Sequence, residues 1–195
     1  MDIKIIFAVL STILGIMGFA PYLRDVLSKK TKPHIFTWII WAITQGTATA
    51  GLLYGNGGYG AIPMIISVSL TSLVVLLSLR TGEKNITKSD KIIFLAAIFA
   101  IFIWWKLENP ILAILMVSAI DAIGYIPTFR KSYNKPWTET VFSWGTFAIA
   151  NVMAILALEN YNLLTTSYLA TITSANILLA IFLIIRRKTI TSDKK

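Results

Sequence analysis

The chain has 195 residues, 56% apolar and only 14% charged, with a mean hydropathy of +0.72; soluble domains carry roughly a quarter charged residues, so this composition argues against a water-soluble globule. A net charge of +9 would suit a nucleic-acid surface, but in so apolar a chain it points to the loop charges of a membrane protein. With no Cys and a single His, there is no basis for disulfides, a thiolate nucleophile or a dedicated transition-metal site.

Seven apolar runs follow one another, each bounded by charge, Gly or Pro: Ile3 to Leu23, Ile35 to Tyr54, Ala61 to Leu79, Lys91 to Trp105, Pro110 to Phe129, Val141 to Leu158 and Leu163 to Ile185. Most reach the ~20 residues that a helix needs to cross hydrocarbon. Transmembrane strands would be shorter and alternate in polarity. The expected fold is therefore all-α and integral to the membrane, with seven transmembrane helices.

The first run has one Lys before it, its basic cluster after it and no A-x-A site, so it reads as an uncleaved span rather than a signal peptide. It closes on Gly18, Pro21 and Arg24, and His34 in the following basic loop is expected to face headgroups. The second run carries Trp38, Trp41 and Gln45 at i, i+3 and i+7, one helical stripe. Gly55-Asn56-Gly57-Gly58 then makes an outer turn; no Lys-Ser/Thr follows it, so it is not a phosphate loop. The fourth run has no polar side chain from Ile92 to Trp105, which suits a linker helix against lipid. Trp104, Trp105 and Trp137 lie near span ends, where indoles anchor at headgroup level.

The fifth run holds Asp121, the one acid placed inside a span, and ends like the first on Gly124, Pro127 and Arg130. The sixth presents Trp144, Phe147 and Asn151 as a second aromatic-amide stripe, and the seventh carries Asn176. Sixteen of the 18 Lys and Arg fall in alternate loops and the C-terminal tail, leaving only Lys4 and Lys106 on the other side. By the positive-inside rule the N-terminus is expected outside and the C-terminus in the cytoplasm.

Laid on itself at an offset of 106, the segment from Gly18 to Ala48 matches that from Gly124 to Ala154 at nine of 31 positions. The matches include Gly18/Gly124, Pro21/Pro127, Arg24/Arg130 and Trp38/Trp144, and Arg80 meets Arg186 at the same offset. Two three-helix repeats separated by one extra crossing keep the same direction, a parallel arrangement about an axis along the membrane normal. The expected divisions are 1–80 for the first repeat, 81–106 for a loop and linker helix, 107–188 for the second repeat and 189–195 for a cytoplasmic tail.

The G-x-x-P ending of each repeat's first helix, followed by a basic loop, resembles the SWEET and PQ-loop superfamily. The family's Pro-Gln pair reads Pro21-Tyr22 and Pro127-Thr128 here, so the resemblance is to an atypical branch. It implies seven helices in a 3+1+3 order, an outside N-terminus and transport of a small solute. It also implies that Gly18 and Pro21, with Gly124 and Pro127, act as paired hinges of an inner gate, and that Asn176 matches a binding-site asparagine of that helix. A static kink is the competing reading of the prolines, because neighbouring helices can satisfy the carbonyl each one frees.

Trp38, Trp41, Gln45, Trp144, Asn151 and Asn176 are the candidate solute-binding residues: flat faces for stacking and amides for orientation. Interhelical packing with amide hydrogen bonds is their bland alternative. Asp121 is the candidate proton-coupling residue, since an intramembrane carboxyl is by default a functional hypothesis; the alternative is a structural carboxyl bonded to Tyr125 one turn on or to a Ser/Thr of another helix. Arg24 and Arg130 read as topology determinants more than as gating partners of Asp25 or Glu139. No paired carboxylates, HExxH or GxSxG are present, so no enzyme is expected, and neither is a metal, cofactor or nucleic-acid partner. The expected protein is a small-solute transporter of the cell membrane, in a prokaryote the plasma membrane, working by alternating access between two three-helix bundles. The alternative is a non-transporting receptor or scaffold that binds a peptide or protein. The lipid bilayer and an unidentified solute are the expected partners, and a homo-oligomer is compatible with a pathway contained in one chain.

Overall fold

The computed structural model describes residues 2–83, 86–106 and 109–191. Each apolar run forms one α-helix, and no strand occurs among the described residues. α1 spans Ile3–Leu27, α2 Ile35–Tyr54, α3 Ala61–Thr81, α4 Lys88–Lys106, α5 Pro110–Asn134, α6 Val141–Leu156 and α7 Leu163–Thr189. Short 3-10 turns at Gly58–Gly60 and Pro136–Thr138 lead into α3 and toward α6.

Polar residues at the ends start these helices. Asp2 accepts from the Lys4 amide at 2.9 Å, and Asn109, followed by Pro110, accepts from the amides of Ile111 and Leu112 at 3.1 Å. Asn162 and Thr165 form a reciprocal capping box for α7. Neither Pro21 nor Pro127 ends its helix: α1 runs on to Leu27 and α5 to Asn134. Arg24, Arg130 and Lys131, counted in the sequence as loop charges, therefore stand on helical turns.

Four stretches are long and apolar enough to cross a membrane, namely α1, Gly58–Thr81 with α3, α5 and α7; α6 is a shorter apolar helix. α2 equals many spans in length but carries Gln45 and four Thr. Outward faces are apolar, with Ile13, Ile16 and Met17 of α1 and Leu178, Ile181 and Ile185 of α7 all exposed. Such patches exceed what water-exposed surfaces carry and suit a multi-pass membrane protein.

The packing has an order that chain adjacency does not give. α3 lies against both α1 and α2, and α7 against both α5 and α6. α1 then closes on α6, and α2 on α5, which completes a ring in the order α1, α3, α2, α5, α7, α6. Replacing α1, α2 and α3 by α5, α6 and α7 maps these contacts onto themselves. α4 stays outside the ring, touching only α5 and α2 among the described residues, with Phe94 stacked on Phe36 at 4.6 Å between centroids.

Two glycines permit the closing contacts. A Cβ on Gly18 would stand 2.6 Å from the Phe147 ring, and one on Gly124 would stand 3.2 Å from Trp41 Nε1. These are the same contact at repeat-related positions. Small residues at such crossings let helices approach in lipid, where no hydrophobic drive separates helix from solvent. Gly18→Ala is expected to lower stability by about 1–3 kcal/mol through overpacking. Phe147→Leu in the same chain should recover part of the loss, read from unfolding midpoints in detergent.

Candidate functional site

The aromatic stripes of α2 and α6 meet on the axis of the ring. Trp38 and Trp144, two copies of one repeat position, lie 6.3 Å apart between ring centroids, and Trp41 lies 5.6 Å from Trp144. Tyr22 packs beneath both, 5.0 Å from Trp38 and 5.9 Å from Trp144. Phe19 against Phe147 at 4.6 Å and Tyr125 against Trp41 at 4.4 Å extend the cluster symmetrically, since positions 19 and 125 are repeat equivalents.

Next to this layer is a cavity to which all six ring helices contribute residues and, among the described residues, α4 contributes none. Its volume is about 60 Å³, on a scale where one water needs roughly 10–15 Å³. All six candidate binding residues line it: Trp38, Trp41, Gln45, Trp144, Asn151 and Asn176. The Gln45 carbonyl accepts from Thr71 Oγ1 at 2.9 Å, and the Asn176 carbonyl accepts from the Tyr125 hydroxyl at 2.9 Å. Gly15 also lines it, and a Cβ there would meet nothing within 4 Å.

Asp121 lines the same cavity although only 1% of it is exposed. Its Oδ1 accepts from the Tyr168 hydroxyl of α7 at 2.8 Å and from the Thr44 hydroxyl of α2. Trp41 Nε1 donates to its backbone carbonyl at 3.3 Å. Neutral hydroxyl donors compensate a polar group withdrawn from water, and here they also tie α5 to both its ring neighbours. The alternative partner Tyr125, one turn on, is committed to Asn176 instead, while a threonine of another helix does bond the carboxyl.

Beyond Trp144 the cluster ends on charge. Glu139 is 2% exposed and forms an ion pair with Lys131, which also donates to the Lys32 carbonyl at 2.7 Å. The second Glu139 oxygen accepts from Trp144 Nε1 at 3.1 Å, and Arg187 donates to the Glu139 carbonyl. The cation that meets Glu139 is thus Lys131, not Arg24 or Arg130. Arg24 pairs at 3.3 Å with its neighbour Asp25 in an exposed position, an arrangement worth little. Arg130 donates to the hydroxyls of Thr87 and Ser89 at 2.7 and 2.9 Å.

Other expectations resolve individually. His34 does not face headgroups: it is 1% exposed at the start of α2, its ring edge-on to Phe36 at 6.2 Å. Trp137 is held by its Nε1 donating to the Ile190 carbonyl at 2.9 Å and by Arg187 over its ring at 4.5 Å. The side chains of Trp104 and Trp105, Lys84 and the tail from 192 to 195 lie outside the described residues. Among the described residues no group of three His, Cys, Asp or Glu could hold a metal ion.

Sequence reasoning left out Thr44, Tyr168, Thr71 and the Lys131–Glu139 pair. One signal was available: Tyr168, Ile172 and Asn176 at i, i+4 and i+8 make a buried stripe on α7, from which Ile172 and Asn176 line the cavity and Tyr168 reaches Asp121. No family model, no curated protein and no solved structure matches this chain.

Removing one partner of a buried ion pair leaves an uncompensated charge. Lys131→Met is therefore expected to lower stability by roughly 3–5 kcal/mol. The double variant Lys131→Met/Glu139→Gln should lose clearly less, measured by denaturant unfolding in detergent micelles.

Proposed function

We propose that the chain is a small-solute transporter working by alternating access between two three-helix units, 1–80 and 107–188, joined by α4. The observation that carries this reading is the axial cavity to which all six ring helices contribute. A site at the interface of two repeats is where a relative rocking motion exposes a solute first to one side and then to the other. Trp38, Trp41 and Trp144 supply stacking faces, and Gln45, Asn151 and Asn176 orient the solute. Asp121, a carboxyl reachable from the cavity, couples movement to a proton. Gly18 with Pro21 and Gly124 with Pro127 are the hinges, placed where each first helix crosses the other repeat. This reading puts the chain in an atypical branch of the SWEET and PQ-loop superfamily, which it resembles.

The same reading has all seven helices crossing a plasma membrane, with the N-terminus outside and the C-terminus in the cytoplasm. Because the native chain has no Cys, an introduced one is the only thiol present. A membrane-impermeant maleimide added to intact cells should label Asn160→Cys and not Ser28→Cys; the opposite pattern would invert the topology.

Transport is tested in proteoliposomes with a panel of sugars, amino acids, amines and vitamins. Uptake of at least one solute is expected, and Gly15→Leu should abolish it while retaining the wild-type unfolding midpoint, because the new side chain enters open space in the cavity. Asp121→Asn should remove the dependence of uptake on a pH gradient. Absence of flux for every solute, with a partner protein retained through purification, would replace the transporter by a receptor.

A further inference from the structure

The side chains around the axial cavity are one-sided in charge. Among the described residues Asp121 is the only acid that lines it, and no Lys, Arg or His does. The buried cation Lys131 is taken up by Glu139 on the far side of Trp144. An ionised carboxylate away from water requires an opposite charge as well as hydrogen bonds. Thr44 and Tyr168 give Asp121 hydrogen bonds but no charge.

The walls favour the same sign. Trp41, Trp144 and Phe147 meet at steep angles, 69° between the first two and 84° between the last two. Aromatic faces carry negative quadrupole potential, and several rings set at angles around one space attract an ammonium group. The amides add a second requirement. Gln45 and Asn176 each carry two N–H donors beside a side-chain carbonyl that accepts from Thr71 or Tyr125, and such donors call for an oxygen acceptor.

Resting on the reading of this cavity as the solute site, we propose that the solute is a small organic cation. It carries an ammonium or quaternary ammonium head with a hydroxyl or carbonyl oxygen nearby. Asp121 and the tryptophans meet the head, and the amides of Gln45 and Asn176 donate to the oxygen. The cavity of about 60 Å³, on a scale where one water needs roughly 10–15 Å³, has room for a small head group. Anions are rejected, because their charge would face Asp121 with no cation to offset it.

The test is direct binding to the purified full-length protein in detergent. Calorimetric titrations would compare choline with 3,3-dimethyl-1-butanol, its uncharged isostere, and with 3,3-dimethylbutyrate. Choline is expected to bind at least about tenfold more tightly than the alcohol, in line with cation–π and carboxylate attraction, and the carboxylate should not bind. Asp121→Asn and Trp144→Leu should each weaken choline about tenfold. Equal affinity for choline and the alcohol in the wild-type protein would overturn the proposal without recourse to any variant. Binding and flux of a neutral sugar or amino acid with no response to choline would overturn the cation assignment and leave the transport reading in place. Choline binding without flux would support the cation site and remove the transport reading.

Discussion

The ring of Phe147 occupies the place where a side chain at position 18 would stand, and Trp41 fills the equivalent place over Gly124. These two contacts lie in the seams that join one three-helix unit to the other, α1 against α6 and α5 against α2. In lipid the association of helices depends on such close packing and on interhelical hydrogen bonds. The rest of the axis follows from the seams. With the backbones so near, the aromatic stripes of α2 and α6 have no room outside the ring and turn inward. Trp38 and Trp144 then meet at the centre, and the space beside them becomes the cavity.

The scaffold is symmetric but its lining is not. Asp121, Thr44 and Tyr168 form one hydrogen-bonded set, and their counterparts at the repeat offset are Gly15, Ala150 and Ile62. Tyr125 and Asn176 form a second set, whose counterparts are Phe19 and Leu70. No member of either set has a polar counterpart in the other copy. A hydrogen bond needs two partners, and the positions equivalent to Thr44 and Tyr168 are an alanine and an isoleucine. Around the cavity the hydrogen-bonded sets of Asp121 and Asn176 have no polar counterpart at Gly15, Phe19 and Leu70, although Ser11, Thr12, Ser67 and Thr71 of the first repeat also line it.

Much of this was legible in the residues. Long apolar runs specify helices because hydrocarbon leaves the backbone no other partner, and α2 begins and ends where its run does, at Ile35 and Tyr54. The aromatic-amide stripes were legible for a second reason: amides in apolar helices face inward, and all those singled out line the cavity. What was not legible depends on which helices are neighbours. Thr44 reaches Asp121 because α2 lies beside α5, and Tyr168 reaches it because α7 lies on α5's other side, an order that chain adjacency does not reveal. Lys131 read as a loop charge because Pro127 suggested an ending, yet the helix continues to Asn134 and the turn at Pro136–Thr138 carries Glu139 back over it. His34 misled as well: it follows a run of basic residues in the sequence, yet it is buried at the start of α2.

The Lys131–Glu139 pair also bears on how the aromatic layer can move. Trp144 donates to Glu139, Glu139 accepts from Lys131, and Lys131 donates to the carbonyl of Lys32, so α6, α5 and the loop before α2 are linked through three polar contacts. Turning Trp144 away from the axis strips a buried carboxylate oxygen of a donor, which costs about 1–3 kcal/mol unless another donor arrives. Trp38 carries no such tether from its own repeat, because the position equivalent to Glu139 is Pro33, which has no carboxylate. The two indoles are therefore equivalent in sequence and unequal in restraint.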